Sequence, residues 1–186
     1  ELPQKTNTAL SSIRFEYEIQ KNYILDFYVT LIEKNRRLEN LIFTEIDGNK
    51  ALTTIQFPEV GNYQIQAFYR KKTENRGSSC AEFFVNAQEP SQIRYPVIYS
   101  NSFEAKLISP IEMPLKKGQT YHFEINCPNK NFVAVICGGK FAQMQKSANG
   151  TFSLDFTVPG NASQINIGAS SAKTGSYQTV ATYTCK

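Results

Sequence analysis

Few side chains in this sequence are suited to acid–base or nucleophilic chemistry. Its 186 residues include one histidine, His122, and four cysteines, Cys80, Cys127, Cys137 and Cys185. Any Ser-His-Asp or Cys-His scheme must therefore run through His122. That residue lies in "YHFEIN" (121–126), where Tyr121, Phe123 and Ile125 alternate with His122, Glu124 and Asn126. The alternation places His122 on a polar strand face beside Glu124, with no serine or cysteine forced near it, so it reads as solvent-facing. No C-x-x-C or H-x-x-x-H spacing occurs, and neither metal nor cofactor is expected. "ICGGK" (136–140) lacks the pattern of a phosphate loop, and Gly138-Gly139 reads instead as a two-residue hairpin turn. The chain is expected not to be an enzyme by itself.

Composition narrows the partners. Twenty basic and sixteen acidic residues give a net charge of +4, short of the concentrated positive charge of a nucleic-acid binder. The basic clusters (Lys34, Arg36, Arg37; Arg70, Lys71, Lys72; Lys116, Lys117) are short and fall at strand ends or turns, as solvated surface does. No run of about 18 apolar residues exists, so no membrane span is expected. The first residues, "ELPQKTNTALSS", have no initiator Met and no apolar signal region. A processed, excised or trimmed product is expected, with any targeting sequence missing from view.

Strand patterns dominate what must position these groups. "YQIQAFY" (63–69) alternates with Tyr63, Ile65 and Ala67 inward. "FVAVI" (132–136) is apolar throughout, as a central strand should be. The two halves also match. Lys21-Asn22-Tyr23 answers Lys130-Asn131-Phe132 at an offset of about 109 residues, and Pro58 answers Pro159 at an offset of about 101. A repeat of this size, built from short strands, predicts an all-β chain of two tandem immunoglobulin-like antiparallel β-sandwich domains. The expected boundaries are 1–88 for the first and 104–186 for the second, with an ordered inter-domain segment over 89–103 packed in the groove between them. The first copy carries about eight extra residues, read as an extended hairpin near 33–45. Pro110 and Pro114 should mark an edge strand that changes sheets.

"FPEVGNYQIQAF" supplies the structural landmarks. Pro58 and Gly61 turn the chain, Tyr63 takes the tyrosine-corner role, and Ile65 stands where an antibody domain would carry a cysteine. An inter-sheet bridge needs cysteines facing each other on the second and sixth strands, with Cα atoms about 5.5 Å apart. The sixth strand of the second half, "QINIGAS", has none. Only Cys137 and Cys185 share a pole, and they would have to reach across the strand between them. Free thiols and a cytoplasmic location are expected. The sequons at Asn149 and Asn161 pull towards the alternative, a secreted or cell-surface location.

"YPVIYSNSFEAKLISPIEMPLKKGQTYHFEI", then "NFVAVICGGKFAQM", and "DGNKALTTIQFPEVGNYQIQAFYR" resemble the accessory domains of the kyphoscoliosis-peptidase and hillarin family of transglutaminase-like proteins, over roughly residues 10–186. The resemblance implies a non-catalytic accessory region beside a papain-like domain, with cytoskeletal partners or the upstream peptidase-like domain itself. That family's Cys-His-Asp triad has no counterpart in this chain. The leading expectation is a module for protein–protein interaction or scaffolding; the alternative is an adhesion module, with carbohydrate as one ligand class and Phe68, Tyr69 and Phe141 as stacking candidates. Candidate partner-binding residues are Arg36 and Arg37 on the extra hairpin, and Tyr95 and Tyr99 in the inter-domain segment. For the two tyrosines, buried packing is the competing role. Partner identity and oligomeric state are not legible.

Overall fold

In the computed structural model, which describes residues 6–99, 105–172 and 176–186, the chain divides into two compact units, Glu1–Arg94 and Tyr95–Lys186. The first contains β1 (Thr6–Ala9), β2 (Ser12–Glu18), β3 (Tyr23–Leu31), β4 (Arg36–Leu38), β5 (Ile42–Asp47), β6 (Lys50–Gln56), β7 (Gly61–Lys71) and β8 (Ser78–Ala87). They form two sheets, ordered β1-β8-β7-β3-β4 and β2-β6-β5. The period-2 pattern explains the layers. Phe27, Val29 and Leu31 of β3 and Tyr63, Ile65 and Ala67 of β7 share one face and build the core with Ile55, Phe57 and Val85. Removing such side chains from water is the main stabilising term, about 25 cal/mol per Å² of apolar surface.

The second unit contains β9 (Val97–Ile98), β10 (Lys106–Ser109), β11 (Thr120–Asn126), β12 (Phe132–Cys137), β13 (Lys140–Gln143), β14 (Gln145–Lys146), β15 (Thr151–Thr157), β16 (Gln164–Ser170) and β17 (Gln178–Thr184). Its sheets run β10-β11-β15-β14 and β13-β12-β16-β17-β9. Strand for strand, β17-β16-β12-β13 repeats β8-β7-β3-β4. The chain is all-β, two tandem immunoglobulin-like sandwiches. Gly138 and Gly139, both at positive φ, make the two-residue turn that pairs Cys137 with Lys140. Lys106–Ser109 pairs with β11, whereas Leu115 bridges Cys185 in the other sheet, so Pro110 and Pro114 lie in the crossing between sheets.

The hairpin expected near 33–45 is present in its first part only: β4 turns back antiparallel on β3 at the edge of the five-stranded sheet, with Leu31 opposite Arg36, whereas β5 pairs with β6 in the other sheet, so the extra residues first fold back and then cross from sheet to sheet. Two things hold them down. Leu41 is buried in the core, and the Glu33 carboxylate accepts hydrogen bonds from the Asn62 amide at 2.9 Å and the Asn62 side chain at 2.7 Å. The segment over 89–103 also divides. Ser91 N–H donates to Phe57 O at 2.6 Å and its hydroxyl to Gln56 Oε1 at 2.7 Å, in the first unit. Val97 and Ile98 instead pair with Thr182 and Ala181 of β17, in the second unit. Residues 100–103 lie outside the described residues.

Candidate functional site: the outer sheet face of the first unit

Alternation sets neighbouring residues of a strand on opposite faces, and this separates Arg36 from Arg37. Arg37 pairs with Thr30, whose side chain points outward, while Arg36 pairs with Leu31, which points into the core. Arg36 joins Lys34 in ion pairs with Glu59 on the turn before β7. Hydrogen bonds from Lys34 and then Arg36 lower the Glu59 carboxyl below its ordinary range. Arg36 is thereby part of the turn's fastening. The period of the strand thus gives the two candidate arginines different surroundings.

Arg37 lies with its guanidinium carbon 3.7 Å from the centre of the Tyr28 ring. It has no carboxylate partner among the described residues. Tyr28 in turn meets the Phe68 ring edge-on at 4.9 Å between centroids. Both geometries are attractive because the ring faces carry negative and the edges positive charge density. Tyr28 and Phe68 are diagonal neighbours, since Tyr28 pairs with Gln66 and Asp26 with Phe68. Beside them Gln64 and Gln66 both donate to Glu82 Oε1, at 2.6 and 3.1 Å. At the far end Arg70 donates from Nε to Asp26 at 2.5 Å and from Nη1 to Glu74 O at 2.9 Å. The result is a broad face with one aromatic strip, one unpaired guanidinium and ordered polar rows. It can dock a partner; it has no arranged nucleophile.

The tyrosine pair of the inter-domain segment separates. Tyr95 is buried, and Tyr99 is 49% exposed. Among the structural residues, Tyr63 is fully buried. Its hydroxyl donates to Glu59 O at 2.8 Å and accepts from Glu59 N at 3.2 Å, while its ring packs on Phe57 at 4.6 Å. A Cβ on Gly61 would come within 3.1 Å of Leu31 Cδ1, and Pro58 precedes the clamp carried by Glu59. Ile65 is fully buried, filling the cysteine's place with hydrocarbon.

His122 stands on an exposed face of β11, with Nδ1 2.6 Å from Asp155 Oδ1 and Nε2 3.9 Å from Glu124 Oε2. Asp155 is its cross-strand partner on β15, a pairing hidden from the sequence. Carboxylates thus face both ring nitrogens, where a triad needs a hydroxyl or thiol on one. No group of three His, Cys, Asp or Glu suited to a metal occurs among the described residues, and no described helix is long and apolar enough to cross a membrane. The four cysteines are free. Burial pushes the Cys127 thiol up, and burial followed by the neighbouring Cys137 does the same for Cys185.

No family profile matches the chain. No curated protein sequence matches it either. Similar solved structures include SGBP-B of a Bacteroides ovatus mixed-linkage glucan utilization locus, in complex with a mixed-linkage heptasaccharide. That likeness has 13% identity and a TM-score of 0.28, covering 98% of this chain and 43% of that one. The titin I-band fragment I67–I69 has 14% identity and a TM-score of 0.30, covering 99% and 62%. Dpr11 bound to DIP-gamma has 9% identity and a TM-score of 0.25, covering 99% and 96%. The chain thus spans less than half the length of the first and under two thirds of the second. None of these likenesses connects it with the kyphoscoliosis-peptidase and hillarin family.

Proposed function

We propose that the chain is a non-catalytic interaction module that holds a protein partner on the outer face of the β1-β8-β7-β3-β4 sheet. The Arg37–Tyr28–Phe68 stack carries this reading. Arginine and tyrosine dominate binding energy at protein interfaces, and a sheet that fixes them beforehand lowers the entropy lost on binding. An unpaired guanidinium backed by aromatic rings suits a partner that presents a carboxylate beside an apolar side chain. The finer reading is the accessory region of a transglutaminase-like protein, serving cytoskeletal partners or an upstream peptidase-like domain. Its support is the motif resemblance, and recovery of the parent reading frame without an upstream Cys-His-Asp domain would remove it.

Hydrogen-exchange footprinting of the full chain with its partner tests the docking face. Protection should appear on β3, β4 and β7, and Arg37→Ala should weaken binding about tenfold or more. Protection elsewhere with undiminished binding by Arg37→Ala would refute the assignment. Four free thiols support a cytoplasmic setting. Titration of protein from its native source, denatured without reductant, should find four, whereas two or none would favour the secreted adhesion reading. That second reading draws on Asn149 and Asn161, both exposed.

A further inference from the structure

The two repeats close one sheet edge differently. In the second unit β10 lies antiparallel along β11, with Leu107 opposite Ile125, and the inward residues Phe123 and Ile125 are fully buried. In the first unit the opening strand β1 runs parallel to β8 in the other sheet, so the order β2-β6-β5 leaves β2 with one neighbour among the described residues. Its inward residues Ile13, Phe15 and Tyr17 pack against the core yet are only half-buried. Seven residues, Ser12–Glu18, form this free edge. The direction of its backbone groups follows from β6. Phe57 N–H donates to Ser11 O at 2.8 Å and Ile19 N–H donates to Asn49 O at 2.7 Å, so the odd-numbered residues of β2 aim their backbone groups at β6. Alternation turns the N–H and C=O groups of Ser12, Arg14, Glu16 and Glu18 to the open side. An unpaired row of this kind is a template for a further strand.

Charge selects the occupant. Arg14, Glu16 and Glu18 are exposed on the outer face, and none of them has an ion-pair partner among the described residues. Because the free groups belong to even-numbered residues, an antiparallel copy of β2 must set even against even. A two-fold axis at Arg14 places that arginine against itself. An axis at Glu16 brings Arg14 to Glu18 but places the Glu16 carboxylate against its own copy. An axis at Phe15, the middle residue of the strand, opposes Arg14 to Glu16 twice and Ser12 to Glu18 twice, with no like charges facing. On the inner side the same axis sets Phe15 against Phe15 and Ile13 against Tyr17, so the half-buried row gains the cover that β10 gives Phe123 and Ile125. We infer that two copies of this chain associate through β2, antiparallel and centred on Phe15, joining their three-stranded sheets into one of six strands. A second copy is the partner because the strand is complementary to itself, and the register free of like charges also uses its whole length. The edge belongs to the sheet opposite the Arg37 face, so this inference stands or falls without the docking reading.

The test is sedimentation equilibrium of the full chain together with amide hydrogen exchange read by NMR. Self-association with a dissociation constant of about 0.5 mM or tighter is expected. The amides of Arg14, Glu16 and Glu18 should gain protection as concentration rises, while those of Phe15 and Tyr17, bonded to β6, are protected at every dilution. Arg14→Glu and Glu16→Arg each set like charges against one another, twice because of the two-fold axis, and each should weaken association about tenfold or more. Mixed in equal amounts, the two variant chains have opposite charges facing again and should form a heterodimer as tight as the dimer of the unaltered chain. Both substitutions fall on exposed side chains, and unchanged protection at Phe15 and Tyr17 verifies that β2 is in place. Five results would overturn the proposal: no association up to about 0.5 mM, association undiminished in both single variants, no recovery in the mixture, association that leaves the Arg14, Glu16 and Glu18 amides open, or protection of those amides at every dilution. The fourth would place the contact on another surface, and the fifth would show that residues 1–5 or another segment of the same chain cover the edge.

Discussion

Tyr63→Phe isolates what the tyrosine hydroxyl contributes, because the substitution keeps the ring that packs on Phe57. Two hydrogen bonds are lost, one donated to Glu59 O at 2.8 Å and one accepted from Glu59 N at 3.2 Å. A net contribution of about 0.5–1.5 kcal/mol per bond gives a loss of about 1–3 kcal/mol. Glu59 is only partly buried, so water can replace some of what is lost, and the expected value is about 1–2 kcal/mol. For a domain of this size that corresponds to a fall in midpoint of roughly 4–8 °C per kcal/mol. With two units in the chain, a single melting curve does not say which one has weakened. Native-state hydrogen exchange read by peptide does. Protection in β3 and β7 should fall about tenfold, a loss near 1.4 kcal/mol, while β11 and β16 keep theirs. Unchanged protection in β7, or an equal fall in both units, would refute the view that this hydroxyl ties the turn to the first sandwich.

Three further outcomes follow from the same geometry. Burial raises the phenol of Tyr183 well above its ordinary value near 10, and burial is also the first cause for Tyr17 and Tyr63. Below the unfolded value all forms are protonated and stability is unaffected; above about pH 10 the unfolded state loses protons first, and stability falls by up to about 1.4 kcal/mol per pH unit for each such group. Because the chain has no tryptophan, tyrosinate absorbance should rise cooperatively with unfolding there; non-cooperative ionisation of all ten tyrosines would contradict the burial. Thiol reagents on the native protein should modify exposed Cys80 first and spare buried Cys127 until it unfolds, as peptide mass analysis would show. Gly168→Ala would place a Cβ 2.7 Å from Ile136 Cδ1 and 3.0 Å from Tyr177 Cβ, so a loss of about 1–3 kcal/mol is expected in urea unfolding.

What the sequence made legible is what local pattern controls. Alternation in "YQIQAFY" and "YHFEIN" sets which side chains face inward, the Gly138-Gly139 pair sets a turn, and Pro110 and Pro114 mark a sheet crossing; the structure has each of these. Long-range pairing was hidden. A polar stretch between two short strands reads alike as a hairpin and as a crossing, and beyond β4 the crossing rests on Leu41 entering the core. The Asp155 partner of His122 and the hydrogen bond from Tyr183 to Pro110 O, 2.8 Å across 73 positions, depend on strand register that no local signal encodes. The Tyr23–Tyr69 ring contact is hidden for the same reason, since the two meet only once β3 and β7 pair.

The two repeats differ in what they leave on the outer sheet face, and the difference favours the first for the docking proposed above. Ile65 and Ile165 hold the same place in β7 and β16, and three residues further on stand Phe68 and Gly168. Both strands have a register irregularity at that point, between Ala67 and Phe68 and between Ile167 and Gly168, so the backbone device is common to both and only the side chain differs. In the first unit Phe68 projects and meets Tyr28, which carries Arg37. In the second the glycine leaves a recess that the chain fills itself: Tyr177 and Ile136 close over it, and Gln143 donates to the Tyr177 hydroxyl at 2.8 Å. Each unit also fastens its core without a disulfide through a different tyrosine, Tyr63 to Glu59 and Tyr183 to Pro110. The fold's requirements are thus met independently in each copy, and the residues left over differ. The first copy retains an aromatic strip with an unpaired arginine, and the second covers its equivalent surface with its own tyrosine. Binding through the sheet face should therefore belong to one repeat. Transfer of phenylalanine to the second, Gly168→Phe, would not reproduce it, because the recess is already occupied.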